Sequence, residues 1–276
     1  MAITAAAVNE LRKMTGAGMM DCKKALTEVD GDFEAAIDLL RKKGQKISAN
    51  RADRDATEGA VIAKSTEDFK EGVIVRLSCE TDFVAKNEDF VALANQIADI
   101  ALENKAADVD ALKALMIDGE TIADRLTNEM GKIGEKIDVS KYAYISGPSV
   151  INYIHAGNRI GVLVQLNLDA NDAIIEAGKD VAMQIAAMNP VSVDENDIPA
   201  DVKERELEIG REQARAEGKP EAMLDKIAEG KLNKFYKEST LTKQSFVKDS
   251  SMSVEQMLSG VASGLKVTGF SRIALG

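Results

Sequence analysis

The segment GVIVRL at residues 72–77 returns as GVLVQL at residues 161–166, and upstream of it Val61 aligns without gaps with Val150. In both copies an apolar side chain stands at every second position, which is the period of a β-strand with one buried face. Two copies of a strand motif in one chain indicate an internal repeat. The sequence therefore predicts two related units, each organised around this strand.

The similarity continues beyond the strand. Gln96-Ile97-Ala98, inside a helical pattern, corresponds to Gln184-Ile185-Ala186. Further along, GEKIDVSKYAYI at residues 134–145 resembles GLKVTGFSRIAL at residues 264–275. Each unit is predicted to be a strand hairpin, a helix and a returning strand. This is an α+β fold in which helix covers one face of each sheet.

Outside the repeat, helices are predicted before the first unit and in a segment inserted into the second unit. The first fifty residues carry three short apolar stripes at helical spacing, with Thr4 placed to begin the first helix and Gly44 to end the third. Residues 41–54 are predicted to be a helix end and linker. From Asp197 to about Glu238 the second unit is interrupted by a charged stretch with a turn at residues 217–220. We predict an antiparallel helical hairpin that projects from the core.

Composition narrows the functional class. The chain has 276 residues, a formal net charge of −11 and only 4% aromatic residues. Negative charge and scarce stacking platforms disfavour direct binding to nucleic acid. No apolar run is long enough for a membrane span, and the first residues lack a signal-peptide pattern. Cys22 and Cys79 are expected to be free thiols in a reducing cytosol, so we expect a cytoplasmic protein without membrane contact.

Motifs for nucleotide or metal chemistry are absent from the sequence. There is no phosphate loop, no dinucleotide fingerprint and no C-x-x-C pair. His155 is the single histidine, which leaves little room for histidine-based catalysis or a zinc site. We therefore expect neither a metal nor a cofactor.

The two units differ most in the loop after the central strand. The first copy has ETDFV at residues 80–84, where the second has DAND at residues 169–172. Loops on rigid scaffolds often carry binding functions. Two interpretations of Phe83 stay open: its ring folds back on Phe90 as part of the core, or it is an exposed aromatic wedge beside a carboxylate.

Other positions also allow two interpretations each. Cys79 aligns with Leu168 on the buried face, which favours a small core residue over an activated thiolate. His155 lies in a predicted hairpin turn, either as a surface hydrogen-bonding residue or as a partner contact. Met19 fits the core stripe of the second helix, whereas Met20 is a surplus apolar residue, either core or part of an adaptable binding face.

Two long segments carry a resemblance to a known family. LRKMTGAGMMDCKKAL at residues 11–26 and CETDFVAKN at residues 79–87 are similar to the two signatures of the elongation factor Ts family. KIGE at residues 132–135 and RIGVLV at residues 159–164 also look like the family's core. The resemblance covers nearly the full chain. It implies an N-terminal three-helix domain that is ubiquitin-associated-like, a duplicated α+β core with antiparallel sheets, and an inserted antiparallel helical hairpin.

The resemblance and the repeat together predict five segments. They are residues 1–50, the ubiquitin-associated-like domain; 51–145, the first core subdomain; 146–196, the first part of the second core subdomain; 197–238, the inserted hairpin; and 239–276, the last part of the second core subdomain.

The resemblance also implies a partner, GDP-bound elongation factor Tu, and roles for particular residues. The family's Thr-Asp-Phe-Val segment enters the partner GTPase near its bound magnesium. Thr81, Asp82, Phe83 and Val84 occupy that segment here, with Phe83 as the wedge and Asp82 supporting it. The remaining implied partner contacts are Leu11, Arg12, Met19, Met20, Ile133, Gly134 and His155. The complex is expected to be one-to-one or two-to-two.

As a function, the resemblance implies a guanine nucleotide exchange factor of translation elongation, not an enzyme, which displaces magnesium and phosphate contacts to release GDP. Two other classes stay open. One is an adaptor or holdase that binds partners without exchange. The other is a thiol or carboxylate enzyme centred on Cys79, Glu80 and Asp82.

The sequence departs from the family pattern in two places. Glu80 stands where many relatives have Gln, which adds a negative charge beside the wedge. Some members continue into a C-terminal helical module that touches the partner, whereas this sequence stops at Gly276 after its last predicted strand. This second departure bears on that contact and not on the core mechanism.

Overall fold

The computed structural model describes residues 3–51 and 53–276. The predicted ranges 1–50 and 51–145 also include residues 1, 2 and 52, which lie outside the described residues. The first three helices are α1 (Ala5–Thr15), α2 (Met19–Glu28) and α3 (Phe33–Arg51). Thr4 caps α1 as predicted, because its hydroxyl accepts the Ala7 N–H at 3.2 Å. Buried apolar side chains from all three helices form one small core.

The next part of the chain forms a three-stranded sheet with helices on one face. Its elements are β1 (Glu58–Ser65), β2 (Glu71–Cys79), α4 (Asp82–Ala85), α5 (Glu88–Asn104), α6 (Val109–Lys113), β3 (Met116–Ile117), β4 (Glu120–Thr121), α7 (Ile122–Ile133) and β5 (Asp138–Ser146). Helices α5 and α7 place Phe90, Ile97 and Leu126 against the sheet, in a core that also contains Val73 and Val75.

The last part repeats this plan and adds the insertion. Its elements are β6 (Ser149–His155), β7 (Ile160–Leu166), α8 (Asp172–Met188), α9 (Ala200–Ala216), α10 (Leu224–Ser239), β8 (Ser245–Phe246), β9 (Asp249–Ser253), α11 (Val254–Val261) and β10 (Val267–Ala274). Val181 and Ile185 of α8 pack on Val162 and Val164 of β7. The predicted α+β class is confirmed.

Both large sheets have the same antiparallel order, β1-β2-β5 in one and β6-β7-β10 in the other. Their hairpins are also in the same register, since Ser65 pairs with Gly72 and Ile154 pairs with Gly161. The ungapped alignment of the two strand motifs therefore reproduces the pairing of residues in space.

The returning strands of the two units are equivalent in space, but their structural alignment differs by two residues from the sequence alignment. Val139 lies opposite Leu77 in the first sheet, and Val267 lies opposite Leu166 in the second. The alignment of residues 134–145 with 264–275 instead matches Val267 with Ile137. A shift of two residues keeps each side chain on the same face of its strand, so alternation alone does not reveal it.

The two sheets pack against each other through a shared apolar layer. A Cβ atom added to Gly72 would lie 2.7 Å from Cγ1 of Val150, and one added to Gly161 would lie 2.8 Å from Cγ1 of Val61. Each sheet is thus covered by helix on one face and by the other sheet on the opposite face. The sequence predicted the helical cover and did not anticipate the sheet-to-sheet contact.

The third helix continues beyond its predicted end. Gly44 lies inside α3, which runs on to Arg51. A Cβ atom added to Gly131 of α7 would lie only 2.9 Å from the Gly44 Cα. Glycine at residue 44 therefore permits a close crossing of two helices, and the predicted C-terminal cap was wrong.

The inserted segment consists of the two predicted helical arms, α9 and α10. Their interface is made of small residues: Gly210, Ala214 and Ala228 are buried, and a Cβ added to Gly210 would lie 2.9 Å from the Ala228 Cα. Close backbone approach therefore holds the arms together, although few large apolar side chains lie between them. Within residues 3–51 and 53–276, no helix combines the length and the apolar character that crossing a membrane requires.

Candidate functional site

The loop that distinguishes the two units begins directly after β2. Thr81 has extended backbone and caps the one-turn helix α4, because its hydroxyl accepts the Val84 N–H at 3.4 Å. Thr81, Asp82, Phe83 and Val84 therefore form a closed turn at the end of a central, buried strand. Val84 packs partly against the core of the first sheet, which anchors the C-terminal side of the turn.

Phe83 is the most exposed large apolar side chain in the part of the chain that the structure describes, with 84% of its surface accessible. Phe90, the residue on which it was predicted to fold in one interpretation, is itself buried in the core. The ring thus projects from the turn, and the interpretation of Phe83 as part of the core was wrong.

Asp82, beside the ring, is also at the surface. Its carboxylate accepts a hydrogen bond from Nζ of Lys86 at 2.6 Å, one turn further on. This hydrogen bond, together with the charge of Lys86, lowers the pKa of Asp82. The exposed ring is therefore flanked by a neutralised ion pair.

Cys79 belongs to the core beneath the loop. Its side chain is fully buried, and its Sγ donates to the carbonyl oxygen of Thr81 at 3.2 Å. Burial, with the nearby carboxylate of Glu135, raises the pKa of the Cys79 thiol to about 12. A thiol in this state is not a nucleophile near neutral pH, so the interpretation as a small core residue holds.

The segment after α7 contacts the loop directly. Gly134 ends α7 in the left-handed conformation, with φ of +79°, and Ile133 is 40% exposed beside it. The next residue, Glu135, accepts the Thr81 N–H at 3.0 Å and the Thr81 hydroxyl at 2.6 Å. The predicted contacts Ile133 and Gly134 are thus joined to the loop that carries Phe83.

The N-terminal helices present a second exposed apolar surface. Met19 and Met20 are 50% and 62% exposed at the start of α2, and Arg12 is exposed on α1. The position of Met19 on the apolar stripe predicted a core residue, and this prediction was wrong. Leu11, also among the predicted contacts, is 0% exposed in the helical core of this structure, so it supports that surface from beneath.

Two contacts tie the N-terminal helices to the loop region, besides the crossing of α3 and α7. The side chain of Lys132 lies against Gly16, where an added Cβ would be 3.1 Å from Lys132 Cε. Arg51, at the end of α3, donates to Glu80 at 2.6 Å. The negative charge expected beside the wedge is therefore paired with a cation from the helical unit.

His155 ends β6, in the predicted turn, and is exposed. Its Nδ1 lies 3.1 Å from the hydroxyl of Tyr153. The neighbouring Arg159 donates to Glu58 at 3.0 Å, and Glu58 pairs with Cys79 across the first sheet. The His155 turn thus lies at the same end of the core as the wedge loop, although it belongs to the second unit.

Sequence reasoning assigned no role to Arg51 or Glu135. Arg51 and Glu80 are 29 residues apart, and Thr81 and Glu135 are 54 residues apart. Contacts over such separations leave no periodic signal in a single sequence. Among the described residues, no group of three or more His, Cys, Asp or Glu side chains is arranged to hold a metal ion.

Known proteins resemble this chain, in which a duplicated α+β scaffold presents the exposed Phe83 turn beside a helical unit with exposed methionines. The family model described as Elongation factor TS matches residues 80–276. The chain is 53% identical over 276 residues to elongation factor Ts of Amoebophilus asiaticus, covering 100% of both chains. It is 54% identical over 274 residues to elongation factor Ts of Cytophaga hutchinsonii, covering 99% of both.

A third relative is elongation factor Ts of Porphyromonas gingivalis, 48% identical over 277 residues that cover 100% of this chain and 99% of that protein. The matches define the class as a translation elongation factor. Within that class, the chain belongs to the elongation factor Ts family.

Proposed function

We propose that this chain is a guanine nucleotide exchange factor that binds GDP-bound elongation factor Tu and promotes release of GDP during translation elongation. The observation that carries the proposal is the Phe83 ring, 84% exposed on a turn that Glu135 holds by two hydrogen bonds. Such a ring can enter a partner without unfolding its own chain. In this proposal it displaces the groups that hold magnesium and phosphate in the partner.

The energy needed exceeds what one ring supplies. Faster release by about ten-thousandfold corresponds to a barrier lowered by about 5.4 kcal/mol. Burial of one phenylalanine side chain contributes about 1.5–3 kcal/mol. The rest must come from binding at other surfaces. Arg12, Met19 and Met20 on the helical unit, Ile133 and Gly134 beside the ring, and His155 on the second unit are the proposed sources.

Exchange then follows from coupling between two ligands of one partner. If the factor binds best to a form of elongation factor Tu that holds GDP weakly, then GDP weakens binding of the factor by the same ratio. The chain itself needs no catalytic group, metal or cofactor for this, and we propose that it acts as a binding protein and not as an enzyme, in the cytoplasm.

The finer division of the fold belongs to the same proposal. We assign residues 1–50 to a ubiquitin-associated-like domain, residues 51–145 to one core subdomain, and residues 146–196 with 239–276 to the other. Residues 197–238 form the inserted hairpin, which we class as a short coiled coil. Sedimentation of the complex with elongation factor Tu distinguishes a one-to-one from a two-to-two assembly.

The test is release of a fluorescent GDP analogue from elongation factor Tu, followed by stopped flow as the concentration of this chain is raised. The wild-type chain is expected to accelerate release, and Phe83→Ala to lower the maximal rate by about tenfold or more, since each 1.36 kcal/mol of barrier is a factor of ten. Met116→Ala is the matched control, because Met116 is also an exposed apolar residue, at 59%, and is not one of the proposed contacts.

An unchanged rate with Phe83→Ala would reject the wedge. A wild-type chain that binds elongation factor Tu without accelerating release would instead support the alternative, an adaptor or holdase that does not alter nucleotide occupancy. The exposed methionines on α2 fit that alternative as well, because an adaptable apolar surface serves binding of either kind.

A further inference from the structure

The loops at residues 80–81 and 135–136, which are far apart in sequence, are joined by a reciprocal pair of hydrogen bonds. The Glu80 carboxylate accepts the backbone N–H of Lys136 at 2.7 Å. The Glu135 carboxylate accepts the backbone N–H of Thr81 at 3.0 Å. Each glutamate thus binds the residue that follows the other glutamate. This arrangement is called the glutamate clamp below.

The clamp reaches the turn that carries Phe83. The Thr81 hydroxyl donates to Glu135 at 2.6 Å and accepts the Val84 N–H at 3.4 Å. A continuous chain of hydrogen bonds therefore runs from Glu135 through Thr81 to Val84, on the far side of Phe83. Hydrogen bonds to an ionised carboxylate are stronger than those between neutral groups.

The clamp is also connected to the helical unit. The Glu80 side chain is only 14% exposed, and its carboxylate is paired with Arg51 at 2.6 Å and Arg54 at 3.4 Å. A partly buried carboxylate is costly unless its charge is compensated, and these cations compensate it. The end of α3 is thereby fixed to the base of the wedge loop.

An exposed ring cannot be positioned by packing of its own. Phe83 buries almost no surface against the chain, so its direction depends on the backbone of the turn. Backbone that is held only by one turn of helix is marginal by itself. The two hydrogen bonds that Thr81, at the start of the turn, donates to Glu135 supply the missing order.

We propose that Glu80 and Glu135 are positioning residues, whose reciprocal hydrogen bonds hold the Phe83 ring in the direction that its partner requires. The inference rests on the proposed function and extends it. Without the clamp, the partner would have to order the turn on binding, and that cost would be subtracted from the energy available to expel GDP.

The first experiment measures the clamp itself, by residue-resolved amide hydrogen exchange of the full chain. Glu135→Ala is expected to raise the exchange rate at Thr81 about tenfold, equivalent to about 1.4 kcal/mol, the scale of one hydrogen bond. Glu80→Ala is expected to do the same at Lys136. Glu135→Gln and Glu80→Gln should preserve most of the protection, because an amide oxygen still accepts the N–H.

The second experiment measures GDP release from elongation factor Tu. Glu135→Ala is expected to lower the maximal rate about tenfold with a smaller change in the half-saturating concentration, and Glu135→Gln is expected to restore most of the rate. A change in global stability alone would not separate these variants in this way. If Glu135→Ala does not fold, Glu135→Asp replaces it, since the shorter side chain keeps the charge but loses the reach.

The outcomes separate the two proposals. Unchanged exchange at Thr81 in Glu135→Ala overturns the clamp. Faster exchange there with an unchanged maximal rate of GDP release overturns its positioning role. A wild-type chain that does not accelerate release overturns the proposed function, and hydrogen exchange then decides on the clamp alone.

Discussion

Gly72 and Gly161 occupy equivalent places in the two sheets, and each is approached by side chains of the opposite sheet. Val150 and Leu163 lie against Gly72, while Val61 lies against Gly161. The sheet-to-sheet layer is thus assembled twice from matching residues, once from each unit. A methyl group at either glycine has no space, and the first prediction follows from this.

Gly161→Ala is expected to destabilise the protein by about 1–3 kcal/mol, the usual cost of overpacking a core. The added Cβ would lie 2.8 Å from Val61 Cγ1 and 3.0 Å from Ile74 Cδ1, and both side chains are themselves buried. Urea denaturation followed by circular dichroism measures the change.

Gly230→Ala is the control for that substitution. Gly230 lies inside α10, and an added Cβ would meet no atom within 4 Å. Alanine is favoured over glycine within a helix by about 1 kcal/mol, so this variant should be as stable as wild type or more stable. Equal effects from the two substitutions would contradict the tight sheet contact.

The second prediction concerns the crossing of α3 and α7. Gly131→Ala would place a Cβ 2.9 Å from the Gly44 Cα, which is backbone and can yield only if the helices separate. We expect a net loss of about 1–2 kcal/mol, because the overpacking outweighs the gain in helix propensity. Affinity for elongation factor Tu should also fall, since the exposed methionines of α2 would be displaced. Isothermal titration and urea denaturation test both effects, and unchanged stability would refute the crossing.

A third prediction concerns thiol reactivity. Cys22 and Cys79 are both fully buried, and burial raises the pKa of Cys79 to about 12. Neither thiol is expected to react with an aromatic disulfide reagent in the native protein near neutral pH, and both should react in guanidinium. Rapid labelling of native Cys79 would reopen the hypothesis of a thiol enzyme.

The fourth prediction links Glu80 to pH. Burial acts to raise the pKa of Glu80, but the N–H of Lys136 and the charge of Arg51 outweigh it, and the net pKa is lowered from 4.5. The ionised form therefore stabilises the fold above the unfolded-state pKa, and this contribution is lost as the pH falls through the lower folded-state pKa.

Glu80→Gln should consequently be less stable than wild type by about 1 kcal/mol near neutral pH. The difference should shrink as the pH falls through the lowered folded-state pKa of Glu80, below which the side chain is protonated in both states. Urea unfolding of both proteins at several pH values checks this. A difference that stays constant with pH would show that the Glu80 charge does not contribute.

The strands and helices were predictable wherever one periodic face is buried. The alternation in residues 72–77 and 161–166 located both central strands, and ungapped alignment even gave the register of their hairpins. The returning strands were aligned two residues out, because a shift by two residues leaves the alternation of the side chains unchanged, and both strands carry their β-bulge at the equivalent place. Gly44 was misassigned because glycine signals both a helix end and a close helix crossing.

The candidate site was predictable as a location but not as a geometry. The break in the repeat pointed to residues 80–84, yet composition could not decide whether Phe83 is buried, since either state suits an apolar residue next to a helix. The roles of Glu80 and Glu135 depend on contacts between distant loops, and no local pattern encodes them. Met19 was predicted to lie in the core because its spacing fits the apolar stripe. In the structure α2 begins at Met19, and the side chain lies at the surface.

Because Phe83 is so exposed, selection for folding and selection for binding act differently on this residue. A side chain that contacts almost nothing within its own molecule can be replaced with little cost to folding. A screen for thermal stability or expression would therefore not detect substitutions at residue 83. If the ring enters a partner as proposed, selection on residue 83 acts through that contact and not through folding.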